Sequence, residues 1–222
     1  MTIRGAMIDF SGTLFRLQYD EHLTSGLDAE VAAKIFRLLT GAVRPSQHLP
    51  ASYHDDWQRR DLDPEIHRRV NIAALRHAGV TESGAAKALY ERMLLPSSWA
   101  PYPDTIAALK LLRDKAIPVA VVSNIAWDIT EVFARFGAKE YVDEIVLSYV
   151  EGAMKPDAAI FRAACDRLGV APADVVMIGD SPAADGGAEA IGCAVRIVEP
   201  LAVDQRPHGL LDALASVGIT DD

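Results

Sequence analysis

The sequence predicts an α/β fold in which a parallel sheet is interrupted, just after its first strand, by a block of helices. Three observations lead there. Five short apolar runs, residues 5–10, 119–124, 144–148, 175–180 and 194–199, have the length and continuity of strands buried on both faces. Segments of helical periodicity separate the last four of these runs. The stretch from about residue 16 to residue 95, by contrast, carries helix starts and stops without convincing strands.

Within that stretch, Asp28 and Gly41 bracket one helix, and Asp63 followed by Pro64 opens another that Gly79 closes. Thr81 to Met93 reads as a third. After the second strand, Asp128 with Glu131 has the form of an N-terminal capping box and Gly137 that of a C′ stop. A helix from about Asp157 to Leu168 places Ile160, Phe161, Ala164, Cys165 and Leu168 on one face.

Composition narrows the function classes. The 222-residue chain, half apolar and with a net charge of −9, has no Lys/Arg-rich run, which argues against nucleic acid or an anionic membrane as partner. The two cysteines, Cys165 and Cys193, form no CxxC pair and read as buried apolar filler rather than a disulfide framework or zinc site. The opening MTIRGAMIDF lacks a signal-peptide pattern and no run reaches the length of a membrane span, so a cytoplasmic protein is expected.

Four motifs carry chemistry. Asp9-Phe10-Ser11-Gly12-Thr13-Leu14 stands at the end of the first strand, where open α/β sheets place their ligand crevice. Ser123-Asn124 ends the second strand, and Lys155-Pro156 follows the third. Gly179-Asp180-Ser181-Pro182-Ala183-Ala184-Asp185 ends the fourth, with Ser181 suited to an N-cap and Pro182 to the first helical position. That spacing puts Asp185 about one turn inside a helix and facing Asp180. Each motif alone has a plainer reading: a strand-end turn, a helix-capping serine, a solvated lysine. Together they place several carboxylates at one edge of the sheet. Each close pair repels by roughly 4 kcal/mol at an effective dielectric near 20, so the set asks for a cation. All-oxygen ligands with vacant positions favour magnesium.

The order of these motifs resembles the haloacid dehalogenase-like hydrolase superfamily, and the resemblance covers the whole core. It implies a Rossmann-like core built from residues 1–15 and 96–222, with a helical-bundle cap over residues 16–95. It further implies that Asp9 attacks phosphorus and forms an aspartyl-phosphate, with Ser123 and Lys155 as the other catalytic residues. Gly12, Thr13, Ser123, Asn124 and Lys155 would bind the phosphoryl group. Magnesium would be held by Asp9, the backbone carbonyl of Ser11, Asp180 and Asp185. The substrate class implied is a small phosphorylated metabolite.

One departure matters. Phosphatases of this superfamily usually carry a second Asp two residues after the nucleophile, as acid and base; here the position is Ser11, and a factor of roughly 10² to 10⁴ in rate is at stake. The haloacid dehalogenases have Tyr there but generally lack an acidic fourth motif, which makes dehalogenation less well supported. Phosphonoacetaldehyde hydrolases have Ala and use a cap lysine, for which Lys34 and Lys87 are the candidates. P-type ATPases have Thr and a long-lived aspartyl-phosphate. The expected activity is a phosphatase or phosphotransferase that is slow, needs an activated leaving group, or borrows an acid from Tyr53-His54-Asp55-Asp56-Trp57. The competing reading is a binding or regulatory protein on a degenerate hydrolase scaffold. Trp127 and Asp128 are close enough in sequence to reach a substrate, and Arg59-Arg60 and Arg68-Arg69 could greet an anion, but packing, capping and a solvated helix face are the plainer explanations.

Overall fold

The computed structural model describes residues 2–18, 28–39 and 49–221. In chain order these form β1 (Gly5–Ile8), β2 (Phe15–Leu17), α1 (Ala29–Leu39), α2 (His54–Gln58), α3 (Pro64–His77), α4 (Ala85–Met93) and β3 (Trp99–Pro101). There follow α5 (Thr105–Asp114), β4 (Val119–Ser123), α6 (Thr130–Arg135), β5 (Glu144–Leu147), α7 (Ser148–Glu151), α8 (Ala158–Leu168), β6 (Val175–Gly179), β7 (Ala194–Ile197) and α9 (Gly209–Ala215).

The five expected strands form one parallel sheet in the order β5-β4-β1-β6-β7. Alternate residues of each strand serve opposite faces. Ala6, Ile8, Val119, Val121, Val176 and Ile178 pack with Leu109 and Leu112 of α5 and Leu210 and Leu214 of α9. Met7, Ala120, Val122, Val146 and Met177 pack with Ile160, Phe161, Ala164 and Cys165 of α8. Both faces are covered, so the strands read as continuous apolar runs rather than as alternating ones. Because the chain leaves β1 for β4 on one side and reaches β6 on the other, β1 is the switch point of the sheet. Its C-terminal end opens a crevice.

The helices between the first strand and the rest build a separate apolar cluster around Ile35, Trp57, Val70, Leu75, Leu89 and Tyr90. Asp63 caps α3 as expected, accepting from the N–H groups of Glu65 and Ile66. Asp28 accepts from Glu30 N–H at the start of α1, while Gly41 lies outside the described residues. A bond from Ser148 Oγ to the carbonyl of Asp61 at 2.5 Å ties this block to the sheet beyond β5.

Four expectations are corrected. The third helix of the block starts at Ala85, not Thr81, after a Ser-Gly turn. Asp128 bonds Thr130 N–H from one residue further out than a capping box requires, and α6 begins at Thr130. β2 and β3 add a short antiparallel pair, Phe15 opposite Pro101 and Leu17 opposite Trp99, where no strand was expected. Finally, Asp185 is not a turn inside an α-helix. Residues 182–184 make a turn and Asp185–Ile191 a 3₁₀ segment, in keeping with the poor helix propensity of Gly186-Gly187.

Inside the helical block, His67 is buried and its Nδ1 lies 2.9 Å from Tyr90 Oη. Burial, and then the Arg60 charge, push the imidazole down to about 4. The unfolded chain titrates near 6.5, so the fold keeps its full His67 contribution above that pH and loses roughly 3 kcal/mol of it as pH falls to about 4, at about 1.4 kcal/mol per unit. His67→Gln should flatten the pH dependence of the denaturation midpoint between pH 6.5 and 4. Equal slopes in the two proteins would contradict this.

Candidate active site

The crevice at the end of β1 gathers residues from four connections. Asp9 directly follows β1, Ser123 ends β4, Lys155 sits between α7 and α8, and Asp180 directly follows β6. Phe10, next to Asp9, turns into the core on the opposite side, where its ring meets Phe15, Trp99, Trp127 and Phe133 at 4.7 to 6.2 Å. The aromatic cluster therefore anchors the loop that presents Asp9.

Lys155 is 3% exposed, and its ammonium has three acceptors for three protons: Asp9 Oδ1 at 2.6 Å, Asp185 Oδ1 at 2.6 Å and the Val122 carbonyl at 2.9 Å. The backbone of Lys155 is fixed by Asn124, whose Oδ1 accepts from Lys155 N–H at 2.7 Å and whose Nδ2 donates to the Lys155 carbonyl at 2.8 Å. Both ends of that amide are thus occupied. The second oxygen of Asp185 accepts from Ser181 N–H at 2.9 Å, and Thr13 Oγ1 donates to Asp9 Oδ2 at 3.4 Å.

Two glycines permit this crowding. Gly12 has φ +85°, and a Cβ on it would lie 2.5 Å from Asp180 Oδ2. A Cβ on Gly179 would lie 2.1 Å from Asp185 Cγ. Any side chain at either position displaces a carboxylate.

Carboxylate oxygens of Asp9, Asp180 and Asp185 lie within 4.8 Å of one another. One ammonium cannot neutralise three carboxylates, and burial adds to the cost of keeping them charged. Burial raises Asp9 most, Lys155 opposes it, and the charges of Asp185 and Asp180 add to the rise, which reaches about 7. Asp180 is raised to about 6 by burial and then by Asp185, against Lys155 and Arg206. For Lys155, burial pulls downward, but Asp9 and Asp185 outweigh it and the net shift is upward. The cluster is short of positive charge and offers only hard oxygen donors. It could hold a metal ion of the hard, oxygen-preferring kind.

The structure thus brings Asp9, Lys155, Asp180 and Asp185 into one cluster, with Gly12 and Thr13 against it and Ser123 buried at the same sheet edge. Ser11 is exposed. Several of the helical candidates are occupied otherwise. His54 Nε2 lies 3.1 Å from the Leu49 carbonyl, Asp56 is clamped by Arg59 at 2.7 Å and by Arg69, and Trp57 is buried under Arg60. Lys34 and Lys87 each pair with a glutamate one helical turn away on exposed surface. Trp127 packs against Phe10 and Trp99. Sequence reasoning missed Arg206, which lies in a stretch without periodicity yet is buried and donates to the carbonyls of Gly12, at 2.7 Å, and Thr13.

Asn124→Ala removes both anchors of the Lys155 backbone and should lower stability by about 1 to 3 kcal/mol in chemical denaturation. A change within a few tenths of a kcal/mol would show that the anchors are dispensable.

Comparison with known proteins agrees with this geometry. Over 128 residues the chain is 34% identical to the mouse (Mus musculus) haloacid dehalogenase-like hydrolase domain-containing protein 3, covering 55% of this chain and 51% of that one. It is 35% identical to a phosphoglycolate phosphatase of Neisseria meningitidis, covering 65% of this chain and 63% of the relative. The matches therefore span about half to two thirds of these relatives. The L-2-haloacid dehalogenase of Xanthobacter autotrophicus shares the fold, with a TM-score of 0.70 at 22% identity over 99% of this chain and 85% of that one. The haloacid dehalogenase-like hydrolase family model matches residues 3–192, and the chain belongs to that family of hydrolases.

Proposed function

We propose that the chain is a magnesium-dependent phosphatase or phosphotransferase acting on a small phosphorylated metabolite, with Asp9 as nucleophile. The observation that carries this reading is the Lys155 ammonium, shared at 2.6 Å between Asp9 and Asp185 beside a third carboxylate, Asp180. Its support from relatives is that the similar Neisseria protein is a phosphoglycolate phosphatase.

In this reading Lys155 and Thr13 fix the Asp9 carboxylate from two sides, so that one oxygen meets phosphorus in line with the leaving group. The new O–P bond forms as the ester O–P bond breaks, and the leaving oxygen departs with its electron pair. Ser123 and the N–H groups of the Gly12–Thr13 loop would bind the phosphoryl oxygens. Asn124 would act by holding Lys155 rather than by touching substrate, since both ends of its amide are spent on that backbone. Water then attacks phosphorus as the bond from phosphorus to the Asp9 oxygen breaks, which frees the Asp9 carboxylate and inorganic phosphate and gives the water's proton up to solvent. Asp9, the Ser11 carbonyl, Asp180 and Asp185, directly or through water, would hold the magnesium ion. When bound, magnesium supplies the positive charge that lets a phosphoryl dianion enter an acidic site.

Ser11 sets the character of the reaction. A hydroxyl does not titrate near neutral pH, so neither leaving group nor attacking water has the usual partner. Turnover is then fastest for leaving groups that need no proton. The helices over residues 16–95 would form the cap that excludes water and selects substrate, and the protein would act in the cytoplasm; no helix among the described residues is long and apolar enough to cross a membrane.

The reading is tested by assaying a panel of phosphoesters with and without magnesium for the wild type and for Asp9→Asn. Magnesium-dependent release of phosphate, lost in the variant, is expected; full activity in Asp9→Asn would overturn it. Ser11→Asp should raise hydrolysis of alkyl phosphates by about 10² or more while changing aryl phosphate hydrolysis less. A lower rate on both would contradict the missing-acid account.

A further inference from the structure

The chain after β7 turns back over the loop that carries Asp9. Arg206, 194 residues away from Gly12 in sequence, donates from Nη1 to the Gly12 carbonyl at 2.7 Å and, more weakly, to Glu199 O at 3.4 Å. Its Nη2 donates to the Thr13 carbonyl. The guanidinium carbon lies over the Tyr102 ring, 3.3 Å from its centroid, and Tyr102 Oη donates to the Leu201 carbonyl at 2.8 Å. Just beyond Arg206, Asp104 Oδ2 accepts from Leu210 and Leu211 N–H at 2.7 and 3.1 Å, which fixes the start of α9. Only 5% of Arg206 is exposed.

Burying a guanidinium is costly, the more so here because Arg206 Nε is buried without a hydrogen-bond partner, and an apolar side chain would fill the same space without that cost. What the arginine adds is a rigid planar fork whose two ends meet two successive carbonyls. A lysine ammonium cannot span that pair. A trans peptide is planar, so a Gly12 carbonyl turned toward Arg206 holds the Thr13 N–H on the other side of the loop. Gly12 also presses on Asp180, since even a Cβ would lie 2.5 Å from Oδ2. Displacement of the Gly12 peptide is therefore passed to a carboxylate of the acidic cluster.

We propose that Arg206 is a positioning residue for the active site: by clamping the Gly12 and Thr13 carbonyls from the far end of the chain, it sets the loop that aims Asp9 and the Ser11 carbonyl and seats Gly12 against Asp180. The functional part of this inference rests on the reading of Asp9 as a metal-assisted nucleophile. Arg206 makes its hydrogen bonds to backbone carbonyls and none to Asp9. Beside the charge that Asp180 also feels, its effect travels through the loop backbone.

The test compares wild type, Arg206→Lys, Arg206→Ala and Tyr102→Leu in the full chain. Amide hydrogen exchange is followed in peptides covering residues 9–17 and in β4 and β5. Calorimetry with magnesium chloride alone gives metal affinity, and steady-state kinetics on an aryl phosphate give kcat and KM separately. Arg206→Lys keeps the charge and loses the fork, so loop exchange should rise selectively while β4 and β5 keep their protection. Its magnesium affinity should fall by about 10-fold or more, the loss usual when a group supporting metal ligands is removed. Its kcat should fall with KM little changed. Guanidinium ion at millimolar concentration should restore part of the activity of Arg206→Ala, and sodium chloride should not. Tyr102→Leu, which leaves the fork but removes its platform, should show the same loop-selective exchange to a smaller degree and stands in if Arg206→Ala does not fold. Wild-type loop exchange and magnesium affinity in Arg206→Lys would overturn the proposal, as would a uniform rise in exchange through the core. If the wild type itself fails to cleave phosphoesters, the Asp9 reading fails, while the exchange arms still decide whether Arg206 sets the loop.

Discussion

The Lys155 ammonium is the constraint on which the site depends. It is almost fully buried, and its three protons meet Asp9, Asp185 and the Val122 carbonyl. Each of those acceptors belongs to a different part of the chain, so the fold must bring β1, β4 and the connection after β6 to one edge before the ammonium can be satisfied. An unpaired ammonium at that depth would lose its charge or force the crevice open. The sheet order supplies the convergence, because β4 and β6 flank β1 in parallel. Asn124 supplies the last degree of freedom by fixing the Lys155 backbone at both its N–H and its carbonyl.

The same arrangement leaves an excess of negative charge. Three carboxylates share one lysine, and Asp9 and Asp180 are pushed upward by burial first and by their neighbouring carboxylates after it. A site built this way is poised for added positive charge, and a phosphoryl group would not enter it alone. Gly12 and Gly179 show how tightly it is made, since a methyl group at either would collide with a carboxylate. Phe10 anchors the Asp9 loop in aromatic packing on one side, and Arg206 clamps the loop's carbonyls on the other.

Much of this was legible in the sequence, for identifiable reasons. The five strands announce themselves because burial on both faces leaves them apolar without interruption, and the structure matches each to within two residues at its C-terminal end. Asp9, Ser123 and Asp180 could be singled out because they stand where apolar runs stop. Phe15–Leu17 and Trp99–Pro101 could not: each strand is three residues long, and its partner lies more than 80 residues away. The segment after Asp180 misled because Ser181-Pro182 has the form of a helix start, while Gly186-Gly187 favours the tighter 3₁₀ path that is found. The family resemblance implies that Asn124 binds phosphate, while the structure shows its side-chain amide engaged with the Lys155 backbone. Arg206 and the Ser148–Asp61 bond were illegible for a simpler reason. Single polar residues in loops carry no periodicity, and only the folded chain shows what they reach.

Family membership and the acidic cluster around Lys155 are what the proposed hydrolysis rests on, and Ser11 would give that reaction its particular form. With no carboxylic acid two residues after Asp9, both halves of the proposed two-step displacement lose their proton carrier; an aryl leaving group needs no proton and relieves only the first half, so with such a substrate a covalent intermediate should accumulate. Rapid acid quench of the wild-type protein during turnover of an aryl phosphate, followed by peptide mass mapping, tests this most directly. The account predicts one added phosphoryl group on the peptide that contains Asp9, present in a substantial fraction of molecules at steady state. Turnover with that peptide unmodified, or with the phosphoryl group on another residue, would contradict it.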